Sequence, residues 1–179
     1  MEFVETPLAG AFVIDLARIE DERGFFARSY CEQEMTAHGL EARVAQCNVS
    51  FNRIAGTLRG MHVQIAPHEE VKLVRCTMGA IYDVMIDLRP GSATFKRWYA
   101  VELTAQNRRM LFIPTGVAHG FQTLEDNTEV FYQMSEFYHP ESARGVRFDD
   151  PSFKIRWPLE PSNVSDRDRS YAPFDTWSV

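Results

Sequence analysis

The sequence has few of the features that mark secreted, membrane-spanning or nucleic-acid-binding proteins. It contains three cysteines, an odd number without CxxC spacing, which is typical of buried or idle thiols in a reducing cytoplasm. No run of about 18 apolar residues could span a membrane, and charged residues interrupt residues 1–30, so no signal peptide is expected. The net charge of −6 argues against a surface for nucleic acid or anionic membranes. We therefore expect a cytoplasmic protein that binds neither nucleic acid nor a membrane.

Apolar residues are abundant in a chain of ordinary domain size. Of the 179 residues, 45% are hydrophobic and 12% are aromatic, which allows a sizeable core, since a domain usually has roughly 100–200 residues. A charged fraction of 25% and scattered prolines argue against disorder. We expect one domain that spans residues 1–179.

Short strand-like segments, rich in Val, Ile, Phe, Tyr and Leu, follow one another between Gly, Pro and Asn turns. The predicted strands are 10–19, a second one within 21–30, then 44–50, 71–76, 80–88, 97–103, 109–113, 120–124 and 128–135. Many short strands at even spacing predict an all-β sandwich or barrel. Residues 31–40 form the one predicted helix, which Gly39 closes. The Pro-rich tail from Pro140 is expected to wrap the barrel, with Trp157 and Phe174 as apolar anchors.

Two glycine-bounded segments, GTLRGMHVQ and PTGVAHGFQ, each place one histidine beside an apolar strand. We expect His62 to lie on a short turn, and His62 and His119 to reach one pocket from two directions. The spacing resembles the two motifs of the cupin superfamily, whose fold is a double-stranded β-helix, or jelly roll, with the site in the barrel mouth. The second motif matches well, whereas Gln64 stands where a metal-binding cupin has another histidine.

A catalytic metal is not expected in this pocket. A divalent transition-metal ion usually needs three or four His, Cys or carboxylate ligands. The two segments offer His62 and His119, with Glu69 or Glu70 as a third ligand, and the loop residue His68 adds little.

Without a metal, His62 can act as a base or can simply donate a hydrogen bond to a backbone carbonyl. Other polar residues also interrupt apolar β runs, namely Arg59, Lys72 and Tyr132. Burial of such groups is costly unless they are paired or used, which favours a functional site.

Nearly the whole chain resembles the dTDP-4-dehydrorhamnose 3,5-epimerase family. The matching stretches are DERGFFARSY, AQCNVSFN, GTLRGMHVQ, VKLVRCTMGAIYDVMIDLRPGSATF, VELTAQNRRMLFIPTGVAHGFQTL, EVFYQMSEFYHPE, RGVRFDDP and SDRDR. In that family the substrate is a nucleotide-linked 4-keto-6-deoxy sugar, and no metal or organic cofactor is used. Proton removal beside the ketone gives an enolate, and reprotonation from the opposite face inverts the carbon. The resemblance thus implies a cofactor-independent epimerase with a base and an acid on opposite faces of the sugar.

The resemblance also implies roles for four catalytic residues. His62 matches the base and Tyr132 the acid, while Asp168 matches a carboxylate that orients the histidine and stabilises its imidazolium. Lys72 matches a positive charge at the keto oxygen. Lys72 on a solvated strand face and Tyr132 as an ordinary core aromatic remain open as structural alternatives.

Substrate-binding positions follow from the same resemblance. Arg59 and His119 match contacts to phosphate and sugar, and Arg167 replaces a lysine there with its charge kept. The nucleotide-binding positions are matched by Arg23, Phe26, Gln46 and Asn48, and the aromatic residue that stacks on the base is matched by Tyr138. The strands that contain Arg23 and Phe26 are expected to reach across to a partner, so the resemblance implies a homodimer.

Two departures from the family pattern concern the nucleotide base. Arg28 and Ala143 stand where the family has glutamates. Arginine offers only donors, so it cannot accept the N3–H of thymine but suits the N3 acceptor of cytosine. This difference predicts that dTDP is not the preferred carrier and that a CDP-sugar is favoured. Alternatively, Arg28 pairs with a surface acid such as Glu32.

Other functions also stay open at this point. Val63 and Gln133 differ from the family next to the catalytic pair, so inversion at C3, C5 or both is undecided. A metal-dependent cupin oxygenase or isomerase is disfavoured by Gln64. A binding module without catalysis is disfavoured because His62, Lys72, Tyr132 and Asp168 occur together.

Overall fold

Strands make up most of the regular structure in the computed structural model, which describes residues 1–176. The strands are β1 (Glu2–Glu5), β2 (Phe12–Asp15), β3 (Arg18–Asp21), β4 (Gly24–Ala27), β5 (Gln46–Asn52), β6 (Thr57–Gln64), β7 (Lys72–Met78), β8 (Ala80–Asp87), β9 (Trp98–Thr104), β10 (Met110–Ile113), β11 (Val117–Thr123), β12 (Thr128–Met134), β13 (Ala143–Gly145) and β14 (Asn163–Val164). The helices are α1 (Glu32–Ala37) and α2 (Asp166–Arg169), and Phe174–Thr176 forms one 3-10 turn. The prediction of an all-β protein is confirmed.

Two main sheets face each other. The first has the order β1-β2-β10-β7-β12-β5, and the second has the order β13-β6-β11-β8-β9, with β14 also paired to β6. Pairing is antiparallel except between β14 and β6. The hairpin of β3 and β4 forms a separate two-stranded sheet. No helix among residues 1–176 is long and apolar enough to cross a membrane.

The main core lies between the inner faces of the two sheets. Val74 and Val130 from the first sheet and Ile81 and Met85 from the second are all fully buried and belong to one cluster. Since side chains alternate along a strand, Lys72 lies on the same face of β7 as Val74, and Tyr132 lies on the same face of β12 as Val130. Burial of each large apolar side chain stabilises the fold by about 1.5–3 kcal/mol. The same apolar alternation therefore carries polar residues into the space between the sheets.

The outer faces of both sheets are covered. Met35 of α1 packs with Leu73 and Phe112 on the outside of the first sheet. On the second sheet, the buried Phe174 and the partly buried Trp157 belong to the cluster of Val84 and Ile86. The tail therefore wraps the barrel with the two anchors that were predicted.

Helix α1 is confirmed within the predicted range. Gly39 follows the cap residue His38 with φ of +70°, and its amide donates to the carbonyl of Thr36 at 2.9 Å. Glycine adopts this left-handed conformation without steric cost, which explains why the helix ends here.

The prediction of a short turn around His62 is wrong, because the residue lies within β6. Three separate strands, β11, β13 and β14, pair with β6. Such long-range pairing leaves no periodic signal in GTLRGMHVQ, where glycines and charged residues interrupt the apolar pattern. The predicted strand 10–19 is likewise divided into β2 and β3, and β1, β13, β14 and α2 were not predicted.

Candidate active site

A cavity of about 390 Å³ opens between the two sheets. Its walls are formed by Val49, Ser50, Phe51, Arg59, His62, Lys72, His119, Phe121 and Tyr132. The first sheet contributes residues of β5, β7 and β12, and the second contributes residues of β6 and β11. Five polar residues singled out from the sequence therefore meet in one place.

His62 and His119 lie side by side on neighbouring strands and do not approach from two directions. Their Cα atoms are paired across β6 and β11, and a register shift follows between His119 and Phe121. A Cβ atom on Gly60 would lie 2.6 Å from the Cα atom of Gly120. Glycine at both positions thus allows the two backbones to approach closely beside the histidines.

His62 is held by a buried carboxylate. Its Nε2 lies 2.6 Å from Oδ1 of Asp168, and the side chains are 42% and 5% exposed, respectively. If Nε2 carries the hydrogen that is donated to Asp168, the Nδ1 atom is left to accept a proton. This arrangement provides a base with a fixed ring orientation. The Nε2 atom of His62 is hydrogen-bonded to a carboxylate and not to a backbone carbonyl, which was the structural alternative.

Asp168 is positioned by the short helix α2. The Ser165 hydroxyl caps this helix and accepts a hydrogen bond from the backbone amide of Asp168 at 3.1 Å. Burial raises the pKa of Asp168, but hydrogen bonding and the charge of His62, with help from the amide of Gly60, hold the pKa below its ordinary value overall. The ionised form therefore stabilises the fold at neutral pH, and this contribution is lost as the pH falls through the lowered pKa.

Lys72 is almost fully buried and has its own counter-ion. It is 8% exposed, and its Nζ contacts Oε1 of Glu70, which is 5% exposed. The carboxylate of Glu70 also accepts the backbone amide of Gln64 at 2.9 Å. Lys72 is thus a positioned charge within the cavity wall and not a residue of a solvated face. From the sequence, Glu70 was interpreted only as a possible metal ligand, and its pairing with Lys72 was not predicted.

His119 belongs to a second histidine–carboxylate pair that the sequence did not reveal. Its Nε2 lies 2.5 Å from Oδ1 of Asp83, which is fully buried. The other oxygen, Oδ2, has no hydrogen-bond partner among residues 1–176. The available signal was an acid in the middle of the apolar run AIYDVMIDL, since a carboxylate buried there needs a partner.

Tyr132 lines the cavity opposite β6. Burial raises the pKa of its hydroxyl above the ordinary value, and the positive charge of Arg59 offsets part of that effect. Tyr132 therefore keeps its proton at neutral pH and can donate it. Arg59 is oriented by a 2.7 Å hydrogen bond from its Nε to Oδ1 of Asn52.

The cavity residues do not form a set of three metal ligands. Among residues 1–176, only His68, His139 and Glu141 bring three such side chains together. His62 and His119 each face a separate carboxylate, and Glu70 contacts Lys72. A metal-dependent cupin mechanism thus lacks a ligand set in this cavity.

Known proteins resemble the chain over nearly its whole length. The sequence model of the dTDP-4-dehydrorhamnose 3,5-epimerase family matches residues 5–176. The chain belongs to this family. A dTDP-4-dehydrorhamnose 3,5-epimerase of Methanothermobacter thermautotrophicus is 42% identical over 175 residues, which cover 96% of this chain and 94% of that protein.

Solved structures of other members have the same fold. The dTDP-4-dehydrorhamnose 3,5-epimerase of Bacillus anthracis, with TDP and PPi bound, superposes with a TM-score of 0.92 at 39% identity, covering 96% of this chain and 98% of that one. A 3′-monoepimerase of Streptomyces bikiniensis, in complex with dTDP-quinovose, superposes with a TM-score of 0.86 at 31% identity, covering 96% and 87%. The cupin-type jelly roll is confirmed, and the chain is a carbohydrate epimerase of the isomerase class.

Three further residues that match the epimerase family lie in contact with one another. The backbone amide of Tyr138 donates to Oε1 of Gln46 at 3.1 Å, and the Tyr138 hydroxyl accepts from Arg167 at 3.3 Å. Asn48 lies on the same face of β5 as Gln46 and is paired with Tyr132 on β12. Tyr138 is 50% exposed, so its ring is accessible to a ligand.

Three other candidate residues lie outside the cavity wall of their own chain: Arg23 and Phe26, which match the family, and Arg28, which departs from it. Phe26 is 71% exposed on β4, and Arg23 pairs with Asp21 at the tip of the β3–β4 hairpin. Arg28 contacts Glu34 at 2.8 Å. The predicted pairing of Arg28 with a surface acid is thus found, although Glu34 takes the place of Glu32. This pairing engages Nη1 of Arg28, one of the donor atoms on which the preference for CDP was based.

Proposed function

We propose that the protein is a cofactor-independent epimerase acting on a dTDP-linked 4-keto-6-deoxyhexose, and that it inverts C3, C5 or both beside the C4 ketone. One observation carries the proposal: the His62–Asp168 pair lies at the same cavity as Lys72 and Tyr132. Membership in the epimerase family supports the reaction class. The ligands of the Bacillus and Streptomyces relatives support dTDP as the carrier.

In the proposed reaction, His62 removes the proton from the carbon beside the ketone. The electron pair of the C–H bond forms the enolate, and the proton moves to Nδ1 of His62. The resulting imidazolium is stabilised by the Asp168 carboxylate 2.6 Å from Nε2. Asp168 is therefore a positioning residue that acts through His62.

Lys72 stabilises the enolate oxygen, where negative charge develops. A fixed charge in a partly closed cavity stabilises such an intermediate more strongly than a charge in water would. Tyr132, on the opposing sheet, then gives its proton to the other face of the carbon. The product therefore has the inverted configuration at this carbon. His62 then loses its proton to solvent, and Tyr132 regains a proton from solvent.

The rest of the matched residues would bind the carrier. Arg59, His119 and Arg167 are proposed to contact phosphate and sugar, and Gln46, Asn48 and Tyr138 to contact the nucleoside.

Because Arg23 and Phe26 are exposed and lie away from their own cavity, we propose that they complete the site of a second copy in a homodimer. A monomer mass in sedimentation analysis would contradict this assembly. The cytoplasmic location and the single domain stay predictions.

The carrier is tested by comparing two substrates that differ only in their base. We expect the enzyme to invert the dTDP-linked 4-keto-6-deoxy sugar and to bind dTDP at least about tenfold tighter than CDP, a difference of about 1.4 kcal/mol. Inversion is followed by nuclear magnetic resonance, and binding by calorimetry. Inversion of neither sugar would contradict the proposed function. Tighter binding of CDP would instead support the CDP-linked alternative, which Arg28 and Ala143 suggested.

Replacement of Tyr132 with phenylalanine separates proton removal from proton return. We expect the rate of inversion to fall about 10²–10⁴-fold, because a positioned acid contributes that much. Exchange of the substrate proton with solvent should continue, since His62 is intact. Tyr82→Phe serves as a matched control, because Tyr82 packs against Trp157 on the outer face of the second sheet. Inversion by Tyr132→Phe at the wild-type rate would contradict the acid role.

A further inference from the structure

Two histidines and a glutamate form a cluster outside the catalytic cavity. His68 lies on the loop after β6, and His139 and Glu141 lie on the loop after β12. The two imidazole rings stack with centroids 3.5 Å apart and planes within 5°. One ligand atom from each of the three side chains lies within 4.8 Å of the others, and none of the three lines the cavity.

Both loops are held by the buried side chain of Gln64, which is 3% exposed. Its Nε2 donates to the carbonyl of His68 at 2.8 Å and to that of Phe137 at 3.1 Å, and its Oε1 accepts the amide of His139 at 2.7 Å. The amide of Ser142 donates to the carbonyl of His139 at 3.0 Å and closes the turn that contains Glu141. The backbone beneath the cluster is thus fixed before any ligand binds.

The spacing of the ligand atoms suits a first-row transition metal. Zinc–nitrogen bonds of about 2.0–2.1 Å place the ligands of a tetrahedral site about 3.4 Å apart. Glu141 Oε1 lies 3.1 Å from His139 Nδ1 and 3.9 Å from His68 Nε2. For both nitrogens to bind one ion, the distance from Glu141 Oε1 to His68 Nε2 must shorten by about 0.5 Å. The imidazole rings of His68 and His139 must also tilt out of their stacked arrangement. The Glu141 side chain can follow this movement because it is 66% exposed.

We infer that His68, His139 and Glu141 bind a divalent transition-metal ion such as Zn²⁺, which links the loop after β6 to the loop after β12. Two imidazoles and one carboxylate are a common zinc ligand set, with water in the fourth position. The ion fixes the segment that contains Tyr138, next to His139, without entering the catalytic cavity. This inference goes beyond the proposed function and does not depend on it.

Titration of the tag-free, chelator-treated full chain with ZnCl₂ in a calorimeter tests the inference. We expect one ion per chain, with affinity at least about tenfold lower in His139→Ala and in Glu141→Gln. At a free Zn²⁺ concentration 100 times Kd, the Tm of the wild type should rise by roughly 5–10 °C. His38→Ala is the matched control, because it removes an exposed histidine from another surface and should leave binding unchanged.

Cys47→Ser provides a second control, because Cys47 is an exposed free thiol that could bind zinc by itself. Wild-type affinity in this variant supports the histidine site, and loss of binding in it would overturn the inference. The inference also fails if the wild type shows no saturable binding, or if Glu141→Gln binds Zn²⁺ as tightly as the wild type. Glu141→Gln keeps the size of an exposed side chain, so this comparison holds even if His139→Ala perturbs the loop.

Discussion

Replacement of His62 with alanine lowers turnover about 10²–10⁴-fold, the usual contribution of a positioned general base. The loss should appear in kcat, because His62 acts on the reacting carbon and the carrier contacts remain intact. Turnover is measured with the dTDP-linked 4-keto sugar at saturation. His38→Ala, outside the cavity, serves as the control.

Removal of His62 also leaves Asp168 buried without its main partner, so a stability effect must be separated from catalysis. The double variant His62→Ala, Asp168→Asn removes the orphaned charge. Because Asp168 acts through His62, this double variant should be no slower than His62→Ala alone. A further large loss in the double variant would mean that Asp168 has a separate role, and wild-type turnover in His62→Ala would exclude His62 as the base.

Replacement of Lys72 with methionine is expected to lower kcat about 10²–10³-fold, since a fixed charge or donor at a developing oxyanion typically contributes that much. Methionine keeps the length and most of the packing of the side chain. The comparison is made under saturating substrate, together with the free energy of unfolding in denaturant. A KM effect alone, with kcat unchanged, would move Lys72 from stabilising the enolate to ordinary binding.

Glu70 supplies the control for this experiment. In Lys72→Met the buried Glu70 carboxylate loses its counter-ion and keeps only the hydrogen bond from the Gln64 amide. Removal of one member of a buried ion pair costs about 3–5 kcal/mol. The double variant Glu70→Gln, Lys72→Met removes both charges and should recover much of that stability. Its kcat should stay low, because the missing positive charge is not restored. Recovery of activity together with stability would show that Lys72 is only structural.

Most strands could be predicted from the sequence because the alternation of apolar and polar residues within a segment shows which of its side chains are buried. The segments around β7, β8, β9, β10 and β12 were found within a few residues of their real ends. Helix α1 was predicted because Gly39 is a local stop signal. By contrast, β6 was predicted as a turn because its strand character comes from β11, β13 and β14, which are distant in sequence.

The composition of the candidate site was predicted through family resemblance, but its internal pairing was not. Nothing in the local sequence joins Asp83 to His119 across 36 positions, or chooses Lys72 as the partner of Glu70 in place of a metal ion. Both pairings depend on which face of a strand points inward and on what the opposite strand presents. The cluster of His68, His139 and Glu141 escaped notice for the same reason, since Gln64 joins its two loops only in the folded chain.

Deuterium incorporation from D₂O shows directly whether His62 removes the proton from the carbon beside the ketone during inversion. The wild type should place solvent deuterium at every carbon that it inverts, at C3, C5 or both, and in His62→Ala the rate of incorporation should fall about 10²–10⁴-fold, as turnover does. Incorporation at one carbon alone would identify a mono-epimerase. Full exchange in His62→Ala would exclude His62 as the base, and inversion by the wild type with the original hydrogen retained would exclude an enolate that exchanges its proton with solvent.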